Sequence, residues 1–336
     1  MKAVGFKQSL PIEDVNSLVE FEMEIPQPQG RDILVKVAAV SMNPVDLLIR
    51  ETAAMDEILE VPKIIGWDAV GTVVAIGECV TLFDIGDRVF YAGDITRSGC
   101  NAEYQMVDER IVGFAPNSLT DAQAAAMPLT SLTAYESLFD RMRVNREQDR
   151  GKSVLILSGA GGVGSIAIQL AKSAELLVIA TASRAESADW CKKMGADYVV
   201  DHYNLKEELS EIGHSKVDYI MDFVNLEGYW EMMAKIIKPQ GHIVSITKSD
   251  KPLSLDLLKR KSVTFSWEFM FTRPMFETED MIRQHTILNI IAEMLDSGTL
   301  QSTLTTTIDG LSAQSIKCAH ELQKSARTIG KTVILF

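Results

Sequence analysis

Apolar and polar residues alternate in two different textures along the chain. Up to about residue 125, short apolar runs are separated by glycines. Strand candidates are Ile33–Val40, Val70–Ile76, Arg88–Tyr91 and Glu103–Val107, punctuated by Gly66, Gly71, Gly77, Gly86 and Gly93. Short strands at this spacing, with little helical periodicity between them, predict a compact barrel-like domain and not βαβ units. A short helix over Asp46–Arg50 is the exception. From residue 127 the texture changes. A helical stretch, Met127–Met142, leads into strand candidates Val154–Leu157, Leu177–Thr181, Tyr198–Val200, Tyr219–Asp222 and His242–Ile246, each followed by helical periodicity. That alternation predicts an α/β fold with a parallel, doubly wound sheet. A long amphipathic helix, Glu279–Asp296, carries Met281, Ile282, Leu288, Ile291 and Leu295 on one side and stops at Gly298. Beyond it, Thr303–Ile308 and Thr332–Leu335 read as strands again. The predicted organisation is therefore 1–126, an inserted domain at 127–268, and a return segment at 269–336.

Within the second texture, Ser153–Ala171 is the most informative stretch. The apolar run Val154–Leu157 feeds a turn with Gly159, Gly161 and Gly164 in G-x-G-x-x-G spacing, and the apolar helical run Ile166–Ala171 follows. Gly159 permits the tight turn, Gly161 lets backbone approach a pyrophosphate, and Gly164 lets the helix pack against the sheet. Ala160, Gly162 and Val163 complete the loop, whose helix N-terminus offers N–H groups and a positive dipole end to phosphates. A P-loop is excluded, because Ser165 and Ile166 stand where Lys and Ser/Thr are required.

The next strand bears on the dinucleotide. An NAD site wants an acid at the strand end, about 20 residues past the glycines, for the ribose 2′-hydroxyl. Here the strand ends in Ser183-Arg184, and Glu186 comes only in the following turn. A hydroxyl and a guanidinium suit a 2′-phosphate instead, which favours NADPH over NADH.

Composition narrows the partners. The 336 residues carry 33 Lys and Arg against 46 Asp and Glu, a net charge of −13, which argues against nucleic acid or anionic membrane as a partner. No apolar run reaches the roughly 18 residues of a membrane span. The N-terminus, Met1–Phe6, reads as a strand and not as a signal peptide. Cys79, Cys100, Cys191 and Cys318 are scattered without a C-x-x-C pair, so reduced thiols and a cytoplasmic location are expected. The histidines show no metal spacing. The charged run Asp140–Lys152 is mixed in sign and reads as a solvated helix end and loop.

A dinucleotide turn near residue 159 behind a β-rich domain resembles the medium-chain dehydrogenase/reductase superfamily over essentially the whole chain. Gly66-Trp-Asp-Ala-Val-Gly71, Gly86-Asp-Arg-Val89, Pro128-Leu-Thr-Ser-Leu-Thr-Ala-Tyr135, the Ser158–Gly164 turn, Arg327 and Gly330-Lys-Thr-Val333 carry the resemblance. The segments Val40-Ser-Met-Asn-Pro-Val-Asp46 and Phe269-Met-Phe-Thr-Arg273 are similar to a zinc-type alcohol dehydrogenase-like subgroup of its quinone-oxidoreductase branch. The resemblance implies a GroES-like β-barrel catalytic domain beside a Rossmann domain, and hydride chemistry with NADPH. It also implies where zinc ligands would stand, at Asn43, Trp67 and Leu129, with Asp68 matching the acid after the family's histidine. Asn is a poor zinc ligand, and Trp and Leu are none. The structural zinc lobe of those relatives has no counterpart between Tyr91 and Tyr104, where Cys100 is the single cysteine. A metal-free site is expected.

Without zinc, hydrogen-bond donors and the cofactor's own ribose hydroxyls must orient the substrate carbonyl. The Asn43 amide is a candidate donor at the lost ligand position and beside the cofactor, or a turn residue before Pro44. Asp46 is a catalytic candidate or a helix cap. Tyr91 and Tyr135 are candidates to present a phenol, or are packing. Thr133 and Tyr135 begin where the family's nicotinamide site lies. Phe223, Val224, Thr247, Phe269, Met270 and Phe271 are expected to line the cofactor, and Lys331 to reach its pyrophosphate or ribose. The leading expectation is NADPH-dependent, zinc-independent hydride transfer to a quinone or α,β-unsaturated carbonyl, with solvent or a tyrosine giving the proton. Enoyl-thioester reduction, alcohol/aldehyde oxidoreduction and a non-enzymatic, crystallin-like NADPH-holding role are the alternatives. No tyrosine has a lysine four residues on, which argues against a short-chain dehydrogenase. The aromatic, β-prone stretch Ser262–Phe271 predicts an edge strand of the nucleotide domain that pairs two copies into a homodimer.

Overall fold

The computed structural model describes all 336 residues. The chain forms two compact units, Met1–Leu129 together with Phe271–Phe336, and Thr130–Met270. The junctions at 129/130 and 270/271 lie slightly beyond the expected 126/127 and 268/269. The first is set inside the helix Pro128–Tyr135, whose opening proline marks a helix start, not a domain boundary.

In the first unit the ten-residue strand Asp32–Ser41 is the hub. It pairs antiparallel with Ala69–Ile76, with Tyr104–Asp108 and with the C-terminal strand Lys331–Leu335. The sheet runs Leu304–Asp309, Lys331–Leu335, Asp32–Ser41, Ala69–Ile76, Arg88–Tyr91, Val112–Phe114. Pairing of Val333 with Ser41 shows the tail returning to complete this unit. Gly71 is required where the hub bulges: a Cβ there would lie 2.2 Å from the Lys36 carbonyl oxygen. A second sheet of Val19–Glu22, Lys2–Phe6 and Lys63–Ile64 stands beside it. Several short or weakly patterned elements have no counterpart in the sequence pattern, Lys63–Ile64, Val112–Phe114 and Asp121–Ala125 among them. Val19–Glu22 has only four residues, and Ala313–Lys324 buries only a narrow face of Ser315, Ile316, Ala319 and His320. The expected helix Glu279–Asp296 begins only at Arg283.

The second unit is a six-stranded parallel sheet in the order Tyr198–Val200, Leu177–Thr181, Ser153–Leu157, Val217–Asp222, Ile237–Ser245, Thr264–Trp267. Numbered along the unit this is 3-2-1-4-5-6, the doubly wound order. Helices cover the sheet, so Ser153–Leu157 is buried at every position, as its unbroken apolar run requires. The order reverses between Ser153–Leu157 and Val217–Asp222, which pair directly, and ligands of such sheets bind off the carboxyl ends of the strands at that switch. Two expected elements are shorter. Met127–Met142 resolves into the α-helix Pro128–Tyr135 and a π-helical turn over Glu136–Arg141. Ser262–Phe271 contributes only the strand Thr264–Trp267, which pairs with Ile237–Ser245 at the sheet edge.

Candidate functional site

The glycine turn of the nucleotide unit sits at the switch point. Ser158, the first residue past the strand Ser153–Leu157, takes a left-handed backbone, φ 64°, and donates its N–H to Thr181 Oγ1 at 2.9 Å. Gly159 donates to the Thr181 carbonyl at 3.1 Å, which ties the turn to the neighbouring strand. Each glycine has its own reason. A Cβ on Gly159 would sit 2.7 Å from Ala180 Cβ, and one on Gly164 2.2 Å from the Ser158 carbonyl oxygen, so both serve close packing. A Cβ on Gly161 would meet only Ser158, at 3.3 Å, and this glycine faces outward. It is the N-cap of the helix Gly162–Ser173, and no side chain caps that helix. Gly162 and Val163 are half-buried, so the first-turn N–H groups and the positive helix end fit a pyrophosphate. Ser183 and Arg184 lie exposed just past Leu177–Thr181, and Arg184 is itself the N-cap of the helix Ala185–Lys193. Past the strands Val217–Asp222 and Ile237–Ser245, Val224 is half exposed and Phe223 and Thr247 are half-buried. Thr133 is buried, and the Tyr135 ring packs tilted on Phe139 with centroids 4.7 Å apart.

In the other unit, the positions that the resemblance assigned to zinc ligands do converge, but around a different centre. Lys331, only 3% exposed, gives its ammonium hydrogens to the Met42 carbonyl at 2.6 Å, Asn43 Oδ1 at 2.5 Å and Asp68 Oδ2 at 3.0 Å. The Asn43 amide nitrogen donates to the Trp67 carbonyl at 2.9 Å and to Asp68 Oδ2 at 2.8 Å. Asp68 Oδ1 accepts the Leu129 N–H at 2.6 Å. These bonds correct two expectations. Both amide hydrogens of Asn43 are committed, so it cannot donate to a substrate oxygen as it stands, and the side chain is closed off besides. Lys331 has spent its three donors inside the unit and is not a pyrophosphate or ribose contact. Sequence reasoning missed the pair it forms with Asp68, because the partners are 263 positions apart.

Asp46 lies in the same interior. Its Oδ2 accepts the Asn43 N–H at 2.6 Å, so it closes the N-terminus of the helix Pro44–Thr52. Its Oδ1 is buried without a partner, and burial pushes the carboxyl up to about 7. The Tyr91 hydroxyl is likewise buried without a partner, with burial raising its pKa well above the ordinary phenol range. Tyr91 is fully buried and so presents no phenol to an open pocket, contrary to expectation. Cys100 donates to the Asp68 carbonyl at 3.4 Å, and burial raises its thiol. Of the three aromatic-segment residues, Phe269 is 47% exposed, while Met270 and Phe271 are buried. Phe271 meets Trp67 edge-on, with centroids 6.3 Å apart.

This donor set does not fit zinc. Trp67 and Leu129 offer no ligand atom, the Trp67 indole is donated to the Asp94 carbonyl, and the oxygens of Asn43 and Asp68 are taken by an ammonium and by N–H groups. A dication beside a buried ammonium is further opposed by charge repulsion in low dielectric.

A family model described as zinc-binding dehydrogenase matches residues 162–284, and one described as alcohol dehydrogenase GroES-like domain matches residues 29–127. A zinc-type alcohol dehydrogenase-like protein of Staphylococcus epidermidis is 45% identical over 337 residues, 99% of each chain. A chloroplastic NADPH-dependent alkenal/one oxidoreductase of Arabidopsis thaliana is 34% identical over 243 residues, 70% of this chain and 60% of that one. Among solved structures, a putative zinc-dependent alcohol dehydrogenase from Rhizobium etli superposes with a TM-score of 0.95 at 45% identity, covering 100% of this chain and 98% of the other. With its GroES-like unit, its doubly wound dinucleotide unit and this full-length identity, the chain belongs to the zinc-type alcohol dehydrogenase-like proteins of the medium-chain dehydrogenase/reductase superfamily, and is an oxidoreductase of that kind.

Proposed function

We propose that the protein is an NADPH-dependent, zinc-independent oxidoreductase that reduces quinones or α,β-unsaturated carbonyl compounds. The observation that carries the reading is the uncapped helix at Gly161–Gly164 with Ser183 and Arg184 exposed at the end of the adjacent strand. The first takes a pyrophosphate and the second a 2′-phosphate, by charge-assisted bonds. Phe223, Val224, Thr247, Thr133 and Phe269 border the rest of the cofactor in this reading. Bound NADPH supplies the hydride. The chain's residues bind and orient it, and solvent or Tyr135 returns the proton to the product. The alkenal/one oxidoreductase relative supports a conjugated carbonyl as acceptor. A cytoplasmic location fits four free cysteines.

The test is NADPH consumption with a panel of quinones, enones, aldehydes and enoyl thioesters, on protein whose metal content has been measured. Turnover of quinones or enones, without stoichiometric zinc and unaffected by chelator, is expected. Turnover confined to simple aldehydes or thioesters, or one zinc per chain with chelator inactivation, overturns the reading.

A further inference from the structure

Asp222 is the last residue of the strand Val217–Asp222, beside the switch point. Its carboxylate is fully buried, and hydrogen bonds hold it from two sides. Oδ1 accepts the N–H groups of Val224 at 3.2 Å and Asn225 at 3.0 Å. Oδ2 accepts the hydroxyls of Ser245 at 2.8 Å and Thr247 at 3.0 Å. Thr247 Oγ1 in turn accepts the Leu226 N–H at 2.9 Å, at the start of the helix Leu226–Ile236. One carboxylate thus joins the two loops that follow adjacent strands, 223–225 and 246–248. Burying an ionised acid is costly unless it is fully hydrogen-bonded, and an apolar residue would fill the space at less cost. What the acid adds is a rigid connection at the carboxyl edge of the sheet, where such folds bind their ligand.

We propose that Asp222 is a positioning residue for the dinucleotide: it touches no cofactor atom itself and holds Val224 and Thr247 in the arrangement that binds NADPH. The inference rests on the cofactor reading above. Binding gains affinity when the loops are ordered beforehand, because their ordering cost is not charged to the ligand. Asp222→Leu keeps a similar volume but accepts no hydrogen bond, so the connection between the two loops is lost.

The experiment is NADPH titration of the full-length protein by fluorescence, well below its melting temperature, alongside circular dichroism and steady-state kinetics. D222L is expected to bind NADPH at least tenfold more weakly with its secondary structure intact. Its KM for NADPH should rise while turnover at saturating NADPH is largely kept, a split that simple loss of stability does not produce. Ser245→Ala, which removes one hydroxyl from Oδ2 at a fully buried position, should weaken binding in the same direction, and it decides the matter if D222L does not fold. A native affinity for NADPH in the folded variants, whatever their melting temperature, overturns the positioning role alone. A native protein that binds neither NADPH nor NADH overturns the cofactor reading and this inference together.

Discussion

Lys331 Nζ stands 3.0 Å from Asp68 Oδ2 in the interior of the GroES-like unit, with the two side chains 4% and 0% exposed. The bond joins the C-terminal strand to the loop after Ile64, and Asn43 bridges both partners. The family label concerns a metal, yet the position is organised around an ammonium. The chain solves locally, with a side chain, the problem of neutralising a buried acid.

Breaking that pair should be expensive. Lys331→Met leaves Asp68 buried without its counter-charge, and is expected to lower unfolding free energy by about 3–5 kcal/mol. Asp68→Asn together with Lys331→Met should recover much of the loss, since the lone charge is then gone. Urea denaturation of the two single variants and the double variant checks this. Additive losses would show that the pair does not act as one.

Stability should depend on pH through Asp46. Its folded-state carboxyl titrates at about 7 against an ordinary 3.8, so the folded chain holds a proton that the unfolded chain has released. The contribution is fully present below about pH 4 and is lost as pH rises toward 7. The facing groups are Lys331, which opposes the rise, and Asp68, which adds to it and whose own carboxyl is also raised by burial. Asp46→Asn should therefore flatten the fall in stability between pH 4.5 and 7.5, read as melting temperature against pH. An unchanged slope in the variant removes Asp46 from that role.

Cofactor choice should follow Arg184. The native protein is expected to bind NADPH at least tenfold more tightly than NADH. Arg184→Ala should cost NADPH roughly 1.5–3 kcal/mol, the worth of charge-assisted bonds, and leave NADH nearly unaffected. Isothermal titration of both cofactors with both proteins measures this, and equal native affinities would refute it.

Assembly should use the sheet edge. Thr264–Trp267 has one neighbouring strand, Trp267 is 52% exposed, and unpaired backbone groups on such an edge invite a second copy. A two-fold pairing closes both edges. Light scattering is expected to give a dimer at micromolar concentration, and Thr264→Pro or Ser266→Pro to dissociate it where the removed N–H faces the partner. A native monomer refutes the pairing.

By itself the sequence determined what local periodicity and local backbone needs can carry. The unbroken apolar run Val154–Leu157 declares a strand buried on both faces, and Gly159, Gly161 and Gly164 declare a tight turn into a helix, because those demands lie within a dozen residues. The return of the tail was legible in the strand patterns of Thr303–Ile308 and Thr332–Leu335. The tertiary structure alone decided the partners of polar side chains. Asn43 was a candidate substrate donor until its amide met Trp67 and Asp68, and Lys331 a candidate phosphate contact until its ammonium met Met42, Asn43 and Asp68. Asp222 looked like the end of a strand until four donors closed on it, from its own loop, from the neighbouring strand end and from the loop beyond. A side chain's hydrogen-bonding capacity is written in its residue type, but which groups use it up depends on chain segments that only the folded topology brings within 3 Å or so of one another.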